Sequence, residues 1–156
     1  MSIWYKVNAT EQGITDFLDC NWGFHDFRIE RVSFIPRSDT CEVFLKYDTG
    51  KEGVLLRFSK LHDMFIRVDE DYLDAWLFDT TLLLRENGTM RWIAADDVTE
   101  DELESCTFAT WVEADQLIWA VTDGDGQPIE MPPDRFHQIW NVFDKPVEKH
   151  FQFEEC

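Results

Sequence analysis

An α+β fold is expected for this 156-residue chain: mainly an antiparallel β-meander, a curved sheet or partly open barrel, with short N-terminal and C-terminal helices. Three observations predict it. From Phe27 onward, apolar and polar residues alternate with period two for about a hundred residues. Short polar loops, Asp48–Gly53 and the stretch around Asn87-Gly88, interrupt that alternation at hairpin spacing. Helical spacing is confined to two short stretches, one near each end. The length is that of one domain, 1–156, and no internal repeat, low-complexity tract or linker divides it.

The first helix is expected over Thr10 to Cys20. Thr10 caps it, Ile14, Phe17 and Leu18 share a face, and Asn21 to Gly23 end it. Phe27 to Ile35 is a strand whose alternation slips between Ile29 and Val32, which predicts a bulge near Glu30. Pro36 closes it. Cys41, Val43, Leu45 and Tyr47 form one face of the next strand, and Val54, Leu56 and Phe58 the returning face. A symmetric loop would pair Tyr47 with Val54, Leu45 with Leu56 and Val43 with Phe58, every pair apolar.

Leu61 to Val68 reads as a further strand, followed by an acidic turn at Asp69–Asp71. For the next hairpin, a two-residue turn at Asn87-Gly88 sets Leu84 against Arg91. A three-residue loop centred on Asn87 instead pairs Leu84 with Met90, Leu82 with Trp92 and Thr80 with Ala94, and leaves Gly88 at the left-handed position. The longer loop is the better register. Thr107–Ala114 and Gln116–Thr122 are expected to form a hairpin that brings Trp111 near Trp119. Asp123 to Pro128 is a loop. Pro132-Pro133 open a C-terminal helix carrying Phe136, Ile139, Trp140 and Phe143, and Pro146 to Phe153 supply a last edge strand.

Charge narrows the range of partners. The chain holds 14 Lys+Arg against 32 Asp+Glu, a formal net charge of −18. Nucleic acid and anionic membrane are therefore not expected partners, since both are bound through Lys/Arg. The asymmetry is steep: residues 1–78 hold 14 acids and 9 Lys/Arg, residues 79–156 hold 18 and 5. Asp96, Asp97, Glu100, Asp101, Glu102 and Glu104 fall within nine residues, in a stretch from Trp92 to Asp134 without Lys, Arg or His. One reading is a solvated segment with Thr99 as helix cap and acids in the first turn. The other is a docking face for a basic protein, with Trp92, Phe108, Trp111 and Trp119 as nearby apolar anchors.

Candidate chemistry is sparse. His25-Asp26 and His62-Asp63 both lie at strand boundaries, and neighbours on a strand point to opposite faces, so neither dipeptide is a ready-made dyad. His25 and His62 together form a ligand site only if their strands are adjacent. His137 and His150 have no local partner. Asp123-Gly124-Asp125-Gly126 resembles the start of a calcium loop, yet position 12 is Asp134 behind Pro132-Pro133, so a turn is expected. Cys20, Cys41, Cys106 and Cys156 are scattered without a C-x-x-C pair, which predicts reduced thiols in a cytoplasm and no metal site. No nucleophile elbow or phosphate-binding glycine loop occurs, no cofactor is implied, and no apolar run has the length of a signal core or membrane span.

The stretch Phe24-His25-Asp26-Phe27-Arg28-Ile29-Glu30-Arg31-Val32, followed by short hairpins, resembles several families of small uncharacterised bacterial proteins, some of them similar to immunity proteins encoded beside secreted toxins. The motif rests on Phe24, His25, Asp26, Ile29 and Val32. The resemblance implies a bacterial cytoplasmic β-rich protein that neutralises a toxin, and it brings no catalytic residues. Two functions follow as expectations. One is a non-enzymatic acidic inhibitor or immunity module for a basic partner, using the six acids of 96–104. The alternative is a small-molecule-binding or hydrolytic enzyme on the concave face of the sheet, with His25 and His62 as its acid-base pair.

Overall fold

The computed structural model describes residues 3–69, 76–133, 135, 138–140, 146–148, 151 and 153–156. In chain order the elements are β1 (Tyr5–Lys6), α1 (Glu11–Cys20), β2 (Phe27–Ile35), β3 (Thr40–Tyr47), β4 (Glu52–Phe65), β5 (Thr81–Leu84), β6 (Met90–Ile93), β7 (Trp111–Asp123), β8 (Gln138–Trp140), β9 (Pro146–Glu148) and β10 (Glu154–Glu155). Eight of these strands form one open antiparallel sheet in the order β10-β1-β7-β4-β3-β2, and β5 and β6 join it through β6 against β7. No described helix is long and apolar enough to cross a membrane.

Thr10 caps α1 as its position predicts, its hydroxyl accepting from the Gly13 amide at 3.0 Å. Ile14, Phe17 and Cys20 are buried and Leu18 packs at the margin. The helix lies over the sheet face formed by Val43 and Leu45 of β3, Leu56 and Phe58 of β4, and Leu117, Trp119 and Val121 of β7. These residues alternate along their strands, so one face of the sheet supplies most of the core. Phe17 stands edge-on to Trp119 at 6.0 Å between centroids, tying helix to sheet.

Local turn chemistry holds in several places. The β2–β3 ladder shifts register between Ile29 and Arg31, so Glu30 is bulged. In the β5–β6 hairpin Leu84 meets Met90 and Leu82 meets Trp92, and Gly88 adopts φ +85° at the end of the three-residue loop. Thr81 pairs with Ile93 there, while Thr80 and Ala94 lie beyond the strand ends. The β3–β4 register differs from the symmetric one by two residues: Leu45 meets Val54, Val43 meets Leu56 and Cys41 meets Phe58. A tight turn, with Gly50 N–H donating to Tyr47 carbonyl, shortens the loop. The apolar face survives because a two-residue slip preserves side-chain direction.

Two expected pairs of strands are in fact single strands. Val54–Phe58 and the start of Leu61–Val68 are one 14-residue β4, bent at Lys60 (φ +56°) and bulged around His62. Likewise Trp111 to Asp123 is one β7, so Trp111 and Trp119 lie eight positions apart, about 27 Å of strand. Lys60 and Asp115, which fall between the expected strands, are exposed points on long strands that pair with each other. Trp111 belongs to a second cluster with Ile93, Val98, Leu103, Cys106 and Ala109.

The C-terminal helix is also corrected. Gln138–Trp140 is a strand paired with Pro146–Glu148, in keeping with the extended preference of its β-branched and aromatic residues. The sheet's last edge is Glu154–Glu155 beside β1. Phe136, Phe143, His137 and His150, and most of the acidic turn at Asp69–Asp71, lie outside the described residues.

Candidate functional site: an acidic ledge beside an acidic cavity

The six acids sit on a segment anchored from beneath. Val98 and Leu103 insert into the second cluster, and Glu100–Ser105 forms a 3-10 helix whose outer side carries the carboxylates. Thr99 begins it: its backbone N–H and its hydroxyl both donate to Glu102 Oε1, at 3.1 and 2.9 Å. Glu102 is thus engaged in holding the turn, as the capping pattern implies. Glu100 faces Arg85 at 3.9 Å. Asp96, Asp97, Asp101 and Glu104 are exposed and enter no ion pair among the described residues. Asp97 has φ +52°, a backbone conformation that Asp tolerates better than most side chains.

Of the proposed anchors, Trp92 and Trp119 are wholly buried in the main core and Trp111 is almost so. Only Phe108 is exposed. Sequence proximity overstated them because strand alternation sends them inward.

Next to the ledge lies a cavity of about 500 Å³ lined by Leu18, Asp19, Trp22, Gly23, Asp79, Thr80 and Asp96. Its wall is an unusual turn in which Trp22, Gly23, Phe24 and Asp26 all have positive φ, between +54° and +67°. Left-handed backbone at three non-glycine residues is costly and persists only where surroundings enforce it. Here Phe24 is fully buried in the core, the Asp26 N–H donates to Leu77 carbonyl, and the Thr80 N–H donates to Gly23 carbonyl at 2.7 Å. Gly23 is required twice over, for its φ of +62° and because an added Cβ would stand 2.2 Å from Asp79 Oδ1. Burial pushes the Asp79 carboxyl above its ordinary range, the charge of Asp96 adds to this, and His25 partly offsets it.

The histidines are not brought together. His25 lies within the strained turn, between Phe24 and Asp26, near the Tyr47 end of β3, through Phe27 paired with Tyr47. His62 lies nine positions beyond Gly53 on β4, about 30 Å of strand away. The two residues of His25-Asp26 do meet, Nδ1 to Oδ2 at 3.1 Å, because the left-handed backbone of Asp26 removes the strand alternation that would part them. His62 instead reaches across to Asp115 on β7 at 2.7 Å, while Asp63 accepts from the Met64 amide. Both are exposed histidine–carboxylate contacts.

A buried ion-pair network lies behind the ledge. Glu113 Oε1 accepts from Arg91 Nε and Arg85 Nη1, each at 2.9 Å, and the Arg91 guanidinium stacks 3.8 Å from the Trp111 ring centre. Burial raises the Glu113 carboxyl, but the hydrogen bonds and charges of Arg91 and Arg85 outweigh it and hold the group below its usual range. In the Asp123 loop, the Asp123 carboxylate accepts from the amides of Asp125 and Gln127, which is turn chemistry. Among the described residues, no group of three His, Cys, Asp or Glu side chains is arranged to hold a metal ion.

Compared with known proteins, the chain matches no protein-family model, no curated protein and no solved structure.

Proposed function

We propose that the protein is a non-enzymatic binding module that docks a basic protein partner on the ledge of Asp96–Glu104, in the manner of an inhibitor or immunity protein. The observation that carries this reading is the pairing of a buried anchor, Val98 and Leu103, with four exposed carboxylates that lack ion pairs among the described residues. Like charges held close together repel, and a fixed support stops them from spreading apart. A cationic surface relieves that repulsion. The net charge of −18 would steer such a partner from a distance, giving fast and salt-sensitive association.

The test is a triple variant, Asp97→Asn, Asp101→Lys and Glu104→Lys. It spares Glu100 and Glu102, which hold local structure, and uses Asn at the left-handed position. Wild type and variant are immobilised side by side and exposed to cell lysate at low ionic strength. A basic protein retained near one-to-one by the wild type, released by salt and missed by the variant is the expected outcome. For the isolated pair the on-rate should fall at least about tenfold. Equal retention by both forms refutes the ledge as the docking face.

A further inference from the structure

Asn87-Gly88 closes the β5–β6 hairpin, and the same dipeptide carries a reaction of its own. The chain has four asparagines, Asn8, Asn21, Asn87 and Asn141, and only Asn87 is followed by glycine. A side-chain amide is open to attack by the backbone nitrogen of the next residue, which closes a succinimide ring. A β-carbon on that next residue crowds the attack, and glycine has none. The surroundings add no crowding either: a Cβ placed at Gly88 would meet no atom within 4 Å, and residues 86–88 are all exposed.

The carboxamide is also polarised. Asn87 Oδ1 accepts from the Thr89 N–H at 3.1 Å and from the Thr89 hydroxyl at 2.6 Å. Thr89 is wholly buried, so both donors are fixed in place. Attack on Asn87 Cγ moves negative charge onto Oδ1, and preset donors stabilise that charge as it develops. The Gly88 N–H donates to the Arg85 carbonyl at 2.9 Å, so the nitrogen is released to react when the loop tip opens. Exposed tips of this kind open at little cost in free energy.

We propose that Asn87 is a site of spontaneous modification, converted through a succinimide to aspartate and isoaspartate with water as the co-reactant. The Gly88 nitrogen gives up its proton and bonds to Asn87 Cγ. The Cγ–Nδ2 bond breaks, and Nδ2 takes up a proton and leaves as ammonia, so the protons balance and nothing is oxidised or reduced. Water then opens the ring. Cleavage between Cγ and the Gly88 nitrogen gives aspartate, whereas cleavage at the Asn87 main-chain carbonyl gives isoaspartate, in which the backbone runs through the side chain. Either product adds a carboxylate to a hollow of about 650 Å³ already lined by Leu84, Arg85, Glu86 and Glu100. Arg85, which serves both Glu100 and Glu113, is two residues away. Isoaspartate also lengthens the loop that the Arg85 N–H closes on the Thr89 carbonyl at 2.9 Å. The hairpin next to the ledge thus changes charge and length with the age of the molecule, whether or not the ledge docks a partner.

The experiment holds the full chain at pH 8, folded in one sample and unfolded in urea in another, and digests aliquots with trypsin near pH 6. Cleavage after Arg85 and Arg91 releases residues 86–91, whose mass and isoaspartate content are followed with time. Steady conversion of this peptide in the folded protein is expected, with both products present and with Asn8 and Asn21 unchanged. Thr89→Val should slow the folded protein at least about threefold, and Thr89→Ser, which keeps the hydroxyl, should restore the rate. Gly88→Ala should slow conversion at least about tenfold in the folded and the urea-unfolded chain alike, so that result does not depend on the variant's fold. The proposal is overturned if the folded protein keeps its Asn87 amide over a period in which the urea-unfolded chain loses it. It is also overturned if Thr89→Val converts at or above the wild-type rate.

Discussion

Replacing Glu113 by Gln tests how the ledge is supported. The side chain is 8% exposed, and its Oε1 takes charge-assisted hydrogen bonds from Arg91 (10% exposed) and Arg85 (31% exposed). Hydrogen bonds to a charged group contribute roughly 1.5–3 kcal/mol, against about 0.5–1.5 for neutral ones. Gln keeps the shape and an acceptor but removes the charge, so about 1–1.5 kcal/mol is lost at Arg91. Solvent screening reduces the loss at Arg85 to about half of that, giving a total of about 2 kcal/mol at pH 7. Glu113 has a lowered folded-state pKa, so its contribution is present above the unfolded carboxylate range and disappears as pH falls through the folded value. Urea unfolding from pH 7 downward should show the variant about 2 kcal/mol weaker at pH 7, with the gap narrowing as pH falls below the ordinary carboxylate range. A difference independent of pH, or one under about 0.5 kcal/mol at pH 7, would refute the network as described.

Two further predictions concern the cavity. Asp79 has the opposite sign: its folded-state pKa is raised, so ionisation opposes folding and stability falls as pH rises through that value. Asp79→Asn should therefore raise the melting temperature at pH 7 and lose that advantage near pH 3; a variant that melts earlier at pH 7 contradicts the assignment. Gly23→Ala should destabilise by about 1–2 kcal/mol from the left-handed backbone alone and displace the Asp79 carboxylate. Urea unfolding gives the first effect and the Trp22 indole shift the second; an unchanged midpoint would show that the turn relaxes freely.

Features set by neighbouring residues were legible in the sequence. Thr10 at the start of α1, the bulge at Glu30, the three-residue loop before Thr89 and the Thr99 turn each depend on a few adjacent side chains. Register was less so: Cys41, Val43 and Leu45 face Val54, Leu56 and Phe58 equally well after a two-residue slide. Long strands were cut short because Lys60 and Asp115 interrupt the apolar runs, and only the pairing of β4 with β7 carries both strands through them. The acids of 96–104 were visible as a cluster, but the structural duties of Glu100 and Glu102 were not. The cavity left no linear signal, since Asp19, Asp79 and Asp96 meet only after helix, turn and hairpin are assembled. Locally, Asn21 to Gly23 read as a helix stop and Phe24 as the start of the motif that runs to Val32.

The position of β7 has a consequence for biosynthesis. β4 leaves the ribosome with β3 on one side, but its other edge pairs along almost its whole length with residues 111–123. At about 5–20 residues per second, that edge waits on the order of several seconds for its partner to be made. During this interval a nascent chain presents a long strand bearing Val54, Leu56 and Phe58 with one row of amides and carbonyls open. Translation pauses before residue 123 would lengthen the exposure and favour aggregation, whereas faster elongation through β5 and β6 would shorten it.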